Sequence, residues 1–261
     1  MKILRKLLAP LLLGLSAVTA SFSAWSAPAY QLGFALDGSG SVSGANYNLL
    51  RTGLSDAMAA ISADGTIEIT VVAYGSNSAI IVAPTLLTAA TLPGIQNAIL
   101  NHAKVGGGTD TAGAITTLAN QMIGSSNYLP SLTSIINLAT DGAPNSQSAS
   151  VAAAVAAFTA GIDALSIEAI GSGVNSGTAL NNMAAIAFPD TVTILPLNST
   201  NIPNPVNGSF VVPVSDFDAL APVLVAKVRA SVNETPEPGT ILLLSLGLAG
   251  LGFATRRNKA A

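Results

Sequence analysis

Three side chains that can bind a cation follow an apolar segment near the start of the chain. Asp37, Ser39 and Ser41 are separated by single glycines and come directly after the apolar run 32–36. The glycines allow the backbone to fold closely around a small group. Carboxylate and hydroxyl oxygens are the hard ligands that a small divalent cation prefers. The D-x-S-x-S spacing therefore predicts part of a metal site, although a helix N-cap made by Asp37 or Ser43 is an alternative interpretation.

Two later segments supply the same kinds of oxygen. Thr109 follows a run of glycines at the start of a predicted helix, and Asp141 lies in a Thr-Asp-Gly sequence directly after the apolar run 135–139. In an open α/β sheet, ligands bind at the carboxyl ends of the strands. We therefore expect the three segments to meet at one ion. Asp110 could add an outer acid to the site, but we interpret it as an N-terminal residue that stabilises the helix.

Together these segments resemble the metal-ion-dependent adhesion site (MIDAS) of von Willebrand factor type A domains. By this resemblance, the metal ligands are Asp37, Ser39, Ser41, Thr109 and Asp141, and no position of the family's set is missing. The resemblance implies that the hydroxyls bind Mg²⁺ directly, with Mn²⁺ or Ca²⁺ as alternatives, while the aspartates act largely through water. An ion bound mostly by neutral oxygens stays electrophilic, so it can accept a carboxylate from a partner.

The segments around these motifs alternate between strand and helix patterns. Strands are predicted at 32–36, 67–74, 79–83, 133–139, 162–170 and 191–195, and helices at 47–61, 92–103, 110–123, 148–158, 178–187 and 219–232. This alternation predicts a doubly wound α/β fold with a mostly parallel central sheet and helices on both faces. The hairpin pattern at 67–83 adds one antiparallel edge strand. The resemblance agrees with this fold over the predicted domain 30–232, except for 198–209, which is predicted to be a surface loop.

Both ends of the chain carry targeting patterns. Lys2, Arg5 and Lys6 precede the apolar run 7–20, which is typical of a secretory signal peptide. We assign the signal peptide to 1–29, and small residues leave its cleavage position open. The predicted domain is therefore exported.

The C-terminal tail has three parts in a fixed order. A Pro-Glu-Pro sequence at 236–238 precedes the apolar run 241–254, and the basic residues Arg256, Arg257 and Lys259 follow. This order resembles the PEP-CTERM sorting signal of Gram-negative bacteria, which we assign to 233–261. The resemblance implies transient anchoring in the inner membrane by a transmembrane helix, processing by an exosortase-type enzyme, and passage to the cell surface or extracellular matrix. A permanent membrane anchor is the alternative.

Composition excludes several classes of function. Cleavage of both ends, with the tail cut after Pro238, would leave four basic and thirteen acidic residues, a net charge of −9 compared with −3 for the whole chain. An acidic surface without a basic stripe argues against nucleic acid and anionic membrane surfaces as partners. The absence of cysteine rules out disulfides, thiolate zinc sites and cysteine nucleophiles.

The motifs favour a binding protein over an enzyme. The sequence contains no G-x-S-x-G, H-E-x-x-H, phosphate-loop or G-x-G-x-x-G motif. We expect an adhesion protein that captures an acidic group of a protein or polysaccharide ligand. A structural matrix component that uses the metal only for folding is a second hypothesis. A metal-dependent hydrolase with His102 or Lys104 as its base is a third, but we interpret both residues as the basic end of helix 92–103, where positive charge is favourable.

Overall fold

A seven-stranded sheet with the order β3-β2-β1-β4-β5-β7-β6 forms the centre of the molecule. The computed structural model describes residues 27–189 and 192–232. The strands are β1 Tyr30–Asp37, β2 Asp64–Tyr74, β3 Ser78–Thr88, β4 Thr133–Thr140, β5 Ala164–Ile170, β6 Thr193–Ile194 and β7 Phe210–Val214. The helices are α1 Gly44–Ala59, α2 Leu92–Asn101, α3 Thr111–Ile123, α4 Gln147–Ala160, α5 Gly177–Ala184 and α6 Leu220–Ser231.

Only the β2–β3 pair is antiparallel among the paired strands of the described chain. Helices α1, α2 and α6 pack on one face of the sheet, and α3, α4 and α5 pack on the other. The central strands are buried on both faces, which explains why their sequences are continuously apolar. The predicted doubly wound fold with one antiparallel edge strand is therefore confirmed.

The prediction of a last core strand at 191–195 is wrong. Strand β6 has two exposed residues, Thr193 and Ile194, at the edge of the sheet. The core strand at this position is β7, which lies between β5 and β6 and is buried throughout. Pro213 lies inside β7, and proline within a short apolar run argues against a central strand. The predicted loop at 198–209 is otherwise found, with a short 3₁₀ turn at Pro205–Asn207.

The parallel strands all begin on one side of the sheet and end on the opposite side. We call the side where they end the carboxyl edge and the side where they begin the amino edge. Strands β1 and β4 run in parallel and end at Asp37 and Thr140, so both residues lie at the carboxyl edge. Helix α1 starts just after this edge and runs to the amino edge. Near the end of α6, Arg229 donates a hydrogen bond to the carbonyl oxygen of Ala60, which caps α1. The chain therefore leaves α6 at the amino edge.

The targeting segments fall largely outside this description. Within residues 27–189 and 192–232, no helix is both long and apolar enough to cross a membrane. The predicted transmembrane segment 241–254, the rest of the predicted tail and most of the predicted signal peptide 1–29 lie outside the described residues.

A buried ion pair fastens α6 to the middle of the sheet. The ammonium nitrogen of Lys227 lies 2.6 Å from Oε1 of Glu168, and both side chains are completely buried. Lys227 also donates to the carbonyl oxygen of Ser166 at 3.0 Å. Burial raises the pKa of Glu168 and lowers the pKa of Lys227, while the charge of each partner opposes the shift of the other. Sequence analysis did not foresee this pair, because nothing in the spacing shows that the two residues meet.

We expect Lys227→Met to destabilise the protein, because it leaves Glu168 charged and unpaired in the core. Removing one partner of a buried ion pair typically costs about 3–5 kcal/mol of unfolding free energy, whereas replacing both by apolar residues is often neutral. The double variant Lys227→Met/Glu168→Leu should therefore recover most of the loss. Urea denaturation measures the unfolding free energies of the single variant and of the double variant. A single variant as stable as the wild-type protein would contradict this role of the pair.

Candidate metal centre

Asp37 places a buried carboxylate at the carboxyl edge. Its side chain is fully buried at the end of β1. Oδ1 accepts a hydrogen bond from the backbone N–H of Ser39 at 2.8 Å, and Oδ2 accepts one from the Thr140 hydroxyl at 2.6 Å. Burial raises the pKa of Asp37, and the charge of Asp141 adds to this, while the hydrogen bonds from Ser39 and Thr140 oppose it. Within the described chain, the one salt bridge is Lys227–Glu168, so no basic side chain neutralises Asp37.

The other predicted ligands meet next to Asp37. The hydroxyl oxygens of Ser39 and Ser41 are 3.0 Å apart, and the Ser41 hydroxyl donates to Oδ1 of Asp141 at 2.5 Å. Gly142 lies close to both Ser41 and Thr109. A Cβ atom at Gly142 would be 3.2 Å from the Ser41 hydroxyl oxygen and 3.4 Å from the Thr109 hydroxyl oxygen. The three loops that carry the predicted ligands therefore converge at one place.

The glycine-rich segment before Thr109 is hydrogen-bonded to the loop that carries Asp37, Ser39 and Ser41. The N–H of Gly106 donates to the carbonyl oxygen of Gly38, and the N–H of Gly40 donates to that of Gly107, both at 2.7 Å. Gly106 and Gly107 have φ values of 81° and 80°, a left-handed conformation that glycine adopts without strain. We call the loop of Asp37, Ser39 and Ser41 the first motif, the segment of Thr109 the second motif and the Thr-Asp-Gly sequence of Asp141 the third motif. These bonds fix the position of the second motif relative to the first.

Asn145 joins the second motif to the third. The side-chain oxygen of Asn145 accepts a hydrogen bond from the backbone N–H of Thr109 at 2.9 Å. The backbone N–H of Asn145 donates to the carbonyl oxygen of Thr109 at 2.8 Å. Sequence analysis missed this residue, because its role depends on a loop that returns to Thr109. It also missed Thr140, although the Thr-Asp-Gly sequence offered a signal.

Two residues near the motifs cap helices. Ser43 accepts a hydrogen bond from the N–H of Asn46 at the start of α1, and Asp110 accepts one from the N–H of Gly113 at the start of α3. The interpretation of Asp110 as a helix-stabilising residue is confirmed. In the first motif the cap is Ser43 and not Asp37, so Asp37 is left to act on the neighbouring serines.

Two further polar side chains are buried near the motifs: Tyr74, which pairs with Asp37 across β1 and β2, and Thr111 at the start of α3. The hydroxyls of Tyr74 and Thr111 have no hydrogen-bond partner within the described residues. Burial, reinforced by the charge of Asp37, raises the pKa of Tyr74 well above its ordinary value.

His102 and Lys104 are engaged in other contacts. Nδ1 of His102 is hydrogen-bonded to the Tyr47 hydroxyl at 3.1 Å. Burial and the positive charge of Arg51 lower the pKa of His102, which disfavours the positive charge expected at the end of α2. Lys104 donates to two carbonyl oxygens of the first motif.

The chemistry of the converging side chains fits a hard divalent cation. Across residues 27–189 and 192–232, no group of three or more His, Cys, Asp or Glu side chains is placed to hold a metal. The converging set instead combines two carboxylates with three hydroxyls, all oxygen donors of the kind that Mg²⁺ prefers. The buried, unneutralised carboxylate of Asp37 adds the negative charge that a cation would offset.

The fold and the three loops define a class of protein. Residues 31–204 match the von Willebrand factor type A domain, and the chain belongs to this family. Strand β7 and helix α6 follow the matched region and complete the same sheet and core. Residues 234–257 match the PEP-CTERM protein-sorting motif, which marks a secreted bacterial protein that passes the membrane. Among curated proteins, none matches this chain.

Solved structures with a similar fold include matrix and adhesion proteins. Proximal thread matrix protein 1 from the mussel byssus, of which one structure has a zinc-occupied MIDAS motif, has a TM-score of 0.59 at 17% identity, over 78% of this chain and 48% of that one. The pilus adhesin SpaC from Lactobacillus rhamnosus GG has a TM-score of 0.58 at 14% identity, over 77% and 30%. Manganese-loaded TRAP protein of Plasmodium vivax has a TM-score of 0.52 at 19% identity, over 76% and 74%. At these identities the likeness shows the fold alone, and the chain spans at most about half the length of the first two proteins.

Gly107 provides a test of the close contact between the glycine-rich segment before Thr109 and Ser76, which lies in the turn between β2 and β3. A Cβ at Gly107 would overlap the Ser76 hydroxyl, and the residue's φ is 80°. We expect Gly107→Ala to lower the unfolding free energy by about 1–3 kcal/mol. Gly94→Ala in α2 is the control, because a Cβ there meets open space, and it should stabilise the protein by about 0.5–1 kcal/mol. Urea denaturation of both variants measures the difference, and equal stabilities would contradict the close contact.

Proposed function

We propose that this chain is an exported, adhesion-type binding protein that captures an acidic group of its ligand through a divalent metal ion. The convergence of five oxygen-bearing side chains at the carboxyl edge carries this proposal. The proposed metal ligands are Asp37, Ser39, Ser41, Thr109 and Asp141. The proposed layout is a signal peptide at 1–29, the ligand-binding domain at 30–232 and the sorting signal at 233–261.

Each side chain of the set has a distinct proposed task. Ser39, Ser41 and Thr109 bind the ion directly through uncharged oxygens, and Asp37 and Asp141 hold its waters. When bound, the ion supplies a Lewis acid with a coordination position for a carboxylate from outside. Asp37 and Ser39 are fully buried, whereas Ser41 is exposed. The ligand therefore approaches from the side of Ser41.

The ion is proposed to be Mg²⁺, with Mn²⁺ or Ca²⁺ as alternatives. Mg²⁺ prefers octahedral oxygen coordination and keeps several waters, which suits a site with few direct carboxylates. One structure of the mussel byssus matrix protein has a zinc-occupied MIDAS motif, and the TRAP protein structure is manganese-loaded, which supports a divalent cation in general.

The surroundings of the site favour a hydrophilic anionic ligand. Ser76, Asn77, Asn145 and Ser146 are exposed on the loops at this edge, and all four are uncharged. Because the domain carries more acidic than basic residues, the ion itself would provide the main attraction for an acidic group. We propose a protein or a polysaccharide of the cell surface or matrix as the ligand.

A structural matrix protein is the second candidate function, and the matrix protein of the mussel byssus among the similar folds favours it. In that case the metal would serve folding alone. An enzymatic function is not proposed, because the candidate bases are occupied: His102 is bonded to Tyr47, and Lys104 is bonded to backbone carbonyls.

The first test separates metal binding from folding with two serines of the same loop. Calorimetric titration of the metal-free protein with Mg²⁺ should show about one site. Ser41→Ala should abolish this binding while changing the unfolding free energy by about 0.5 kcal/mol or less, because Ser41 is exposed. Ser43→Ala is the matched control: it should keep the metal and lose about 1 kcal/mol through the missing helix cap.

The same variants distinguish the two candidate functions. An adhesion protein should capture surface material in Mg²⁺, lose it in a chelator, and fail to capture it as Ser41→Ala. If Ser41→Ala instead melts far below the wild-type protein and still captures its partner, the metal is structural. Unchanged Mg²⁺ binding by Ser41→Ala would remove the assignment of the site itself.

The sorting motif generates a prediction about the mature C-terminus. The match at 234–257 supports processing by an exosortase-type membrane enzyme. Basic residues after an apolar segment resist crossing the membrane, so the tail would stay in the inner membrane while the domain faces outward. We expect mass spectrometry of surface-extracted protein to find chains that lack the apolar and basic tail. Intact chains that still end in the final alanines would mean that the tail is a permanent anchor.

A further inference from the structure

One basic side chain is directed at the backbone of the first motif. The ammonium nitrogen of Lys104 donates to the carbonyl oxygen of Ser39 at 2.9 Å and to that of Val42 at 2.5 Å. Its aliphatic stem lies beside Gly38, where a Cβ would be 3.4 Å from Cγ of Lys104. The two carbonyl groups lie on either side of Gly40 and Ser41. The ammonium therefore ties together the two ends of the short turn that presents the Ser41 hydroxyl.

Lys104 has no acidic partner. In the part of the chain that the structure describes, the one salt bridge joins Lys227 to Glu168. The charge of Lys104 is therefore directed at carbonyl oxygens. Hydrogen bonds from a charged donor contribute more than bonds between neutral groups. Besides the bonds from Lys104, two backbone bonds tie the loop to the segment that follows Lys104: Gly106 N–H to Gly38 and Gly40 N–H to Gly107.

We infer that Lys104 is a positioning residue for the metal site. It holds the turn from Ser39 to Val42 so that the Ser39 and Ser41 hydroxyls face the ion together, 3.0 Å apart. The inference rests on the proposed function, because it assigns Lys104 to the same site. It goes beyond the ligand set, since Lys104 carries no oxygen and does not bind the metal.

Two effects of Lys104 on the metal have opposite signs. A positive charge near a divalent cation repels it, so a residue that acted only as a charge would weaken metal binding, and its removal would strengthen binding. A residue that positions the hydroxyls has the reverse effect, because its removal frees the turn. The sign of the change in Mg²⁺ affinity therefore separates the two roles.

The experiment compares three variants of the purified full-length protein. Lys104→Met keeps the stem and removes the donors, Lys104→Arg keeps both charge and donors, and Arg229→Met is the matched control. Arg229 also donates to a backbone carbonyl, that of Ala60, but at the amino edge. Mg²⁺ alone is titrated by calorimetry, and hydrogen exchange of the Gly40 and Gly106 amides is measured without metal. If Lys104→Met fails to fold, Lys104→Gln replaces it.

We expect Lys104→Met to weaken Mg²⁺ binding by about ten-fold or more, as the loss of charged hydrogen bonds implies. Exchange at Gly40 and Gly106 should accelerate in the metal-free protein. Lys104→Arg should restore most of both properties, and Arg229→Met should change neither. Equal or tighter Mg²⁺ binding by Lys104→Met would overturn the inference and leave the metal site standing. Absence of Mg²⁺ binding by the wild-type protein would overturn the proposed function, and this inference with it.

Discussion

The carboxylate of Asp37 lies fully buried at the end of the central strand β1, and the carboxyl edge is arranged around it. Removing a charge from water is costly unless the charge is paired and hydrogen-bonded. The Ser39 N–H and the Thr140 hydroxyl provide hydrogen bonds, but none of the described basic side chains provides the opposite charge. A cation bound by the neighbouring hydroxyls would compensate Asp37. With Asp37, Ser39 and Thr109 buried, the accessible part of the site consists of the exposed Ser41 and the half-buried Asp141.

Loops without regular secondary structure make up this site, yet their backbone groups are extensively paired. Gly38, Gly40, Gly106 and Gly107 exchange hydrogen bonds at short distances, and Asn145 bonds to Thr109 twice. Close approach of backbones requires residues without a side chain, which accounts for the glycines around both motifs. These hydrogen bonds are made within the protein itself, and they favour a preorganised arrangement of the loops.

The sequence predicted most of the fold and the five oxygen-bearing side chains that converge at the carboxyl edge, because both depend on local signals. Buried parallel strands have continuous apolar sequences, and the motif residues follow two of them directly. Strand β7 escaped prediction because Pro213 interrupts its apolar pattern. The Glu168–Lys227 pair and the contacts of Lys104 arise between segments distant in the chain. The lowered pKa of His102 has a related origin, because it depends on burial and on Arg51, neither of which the helix pattern shows.

The site and the exit of the C-terminal tail lie at opposite edges of the sheet, and this has a mechanical consequence. A partner held at the carboxyl edge and a tether at the amino edge would pull the domain along the direction of its strands. Strand β1 is paired with β2 over eight residues and with β4 over seven. Such a pull loads these hydrogen bonds together in shear, and does not peel them apart one at a time. Force entering α6 from such a tether would be shared by the Lys227–Glu168 pair and by the apolar side chains of α6 that pack in the core beneath the sheet.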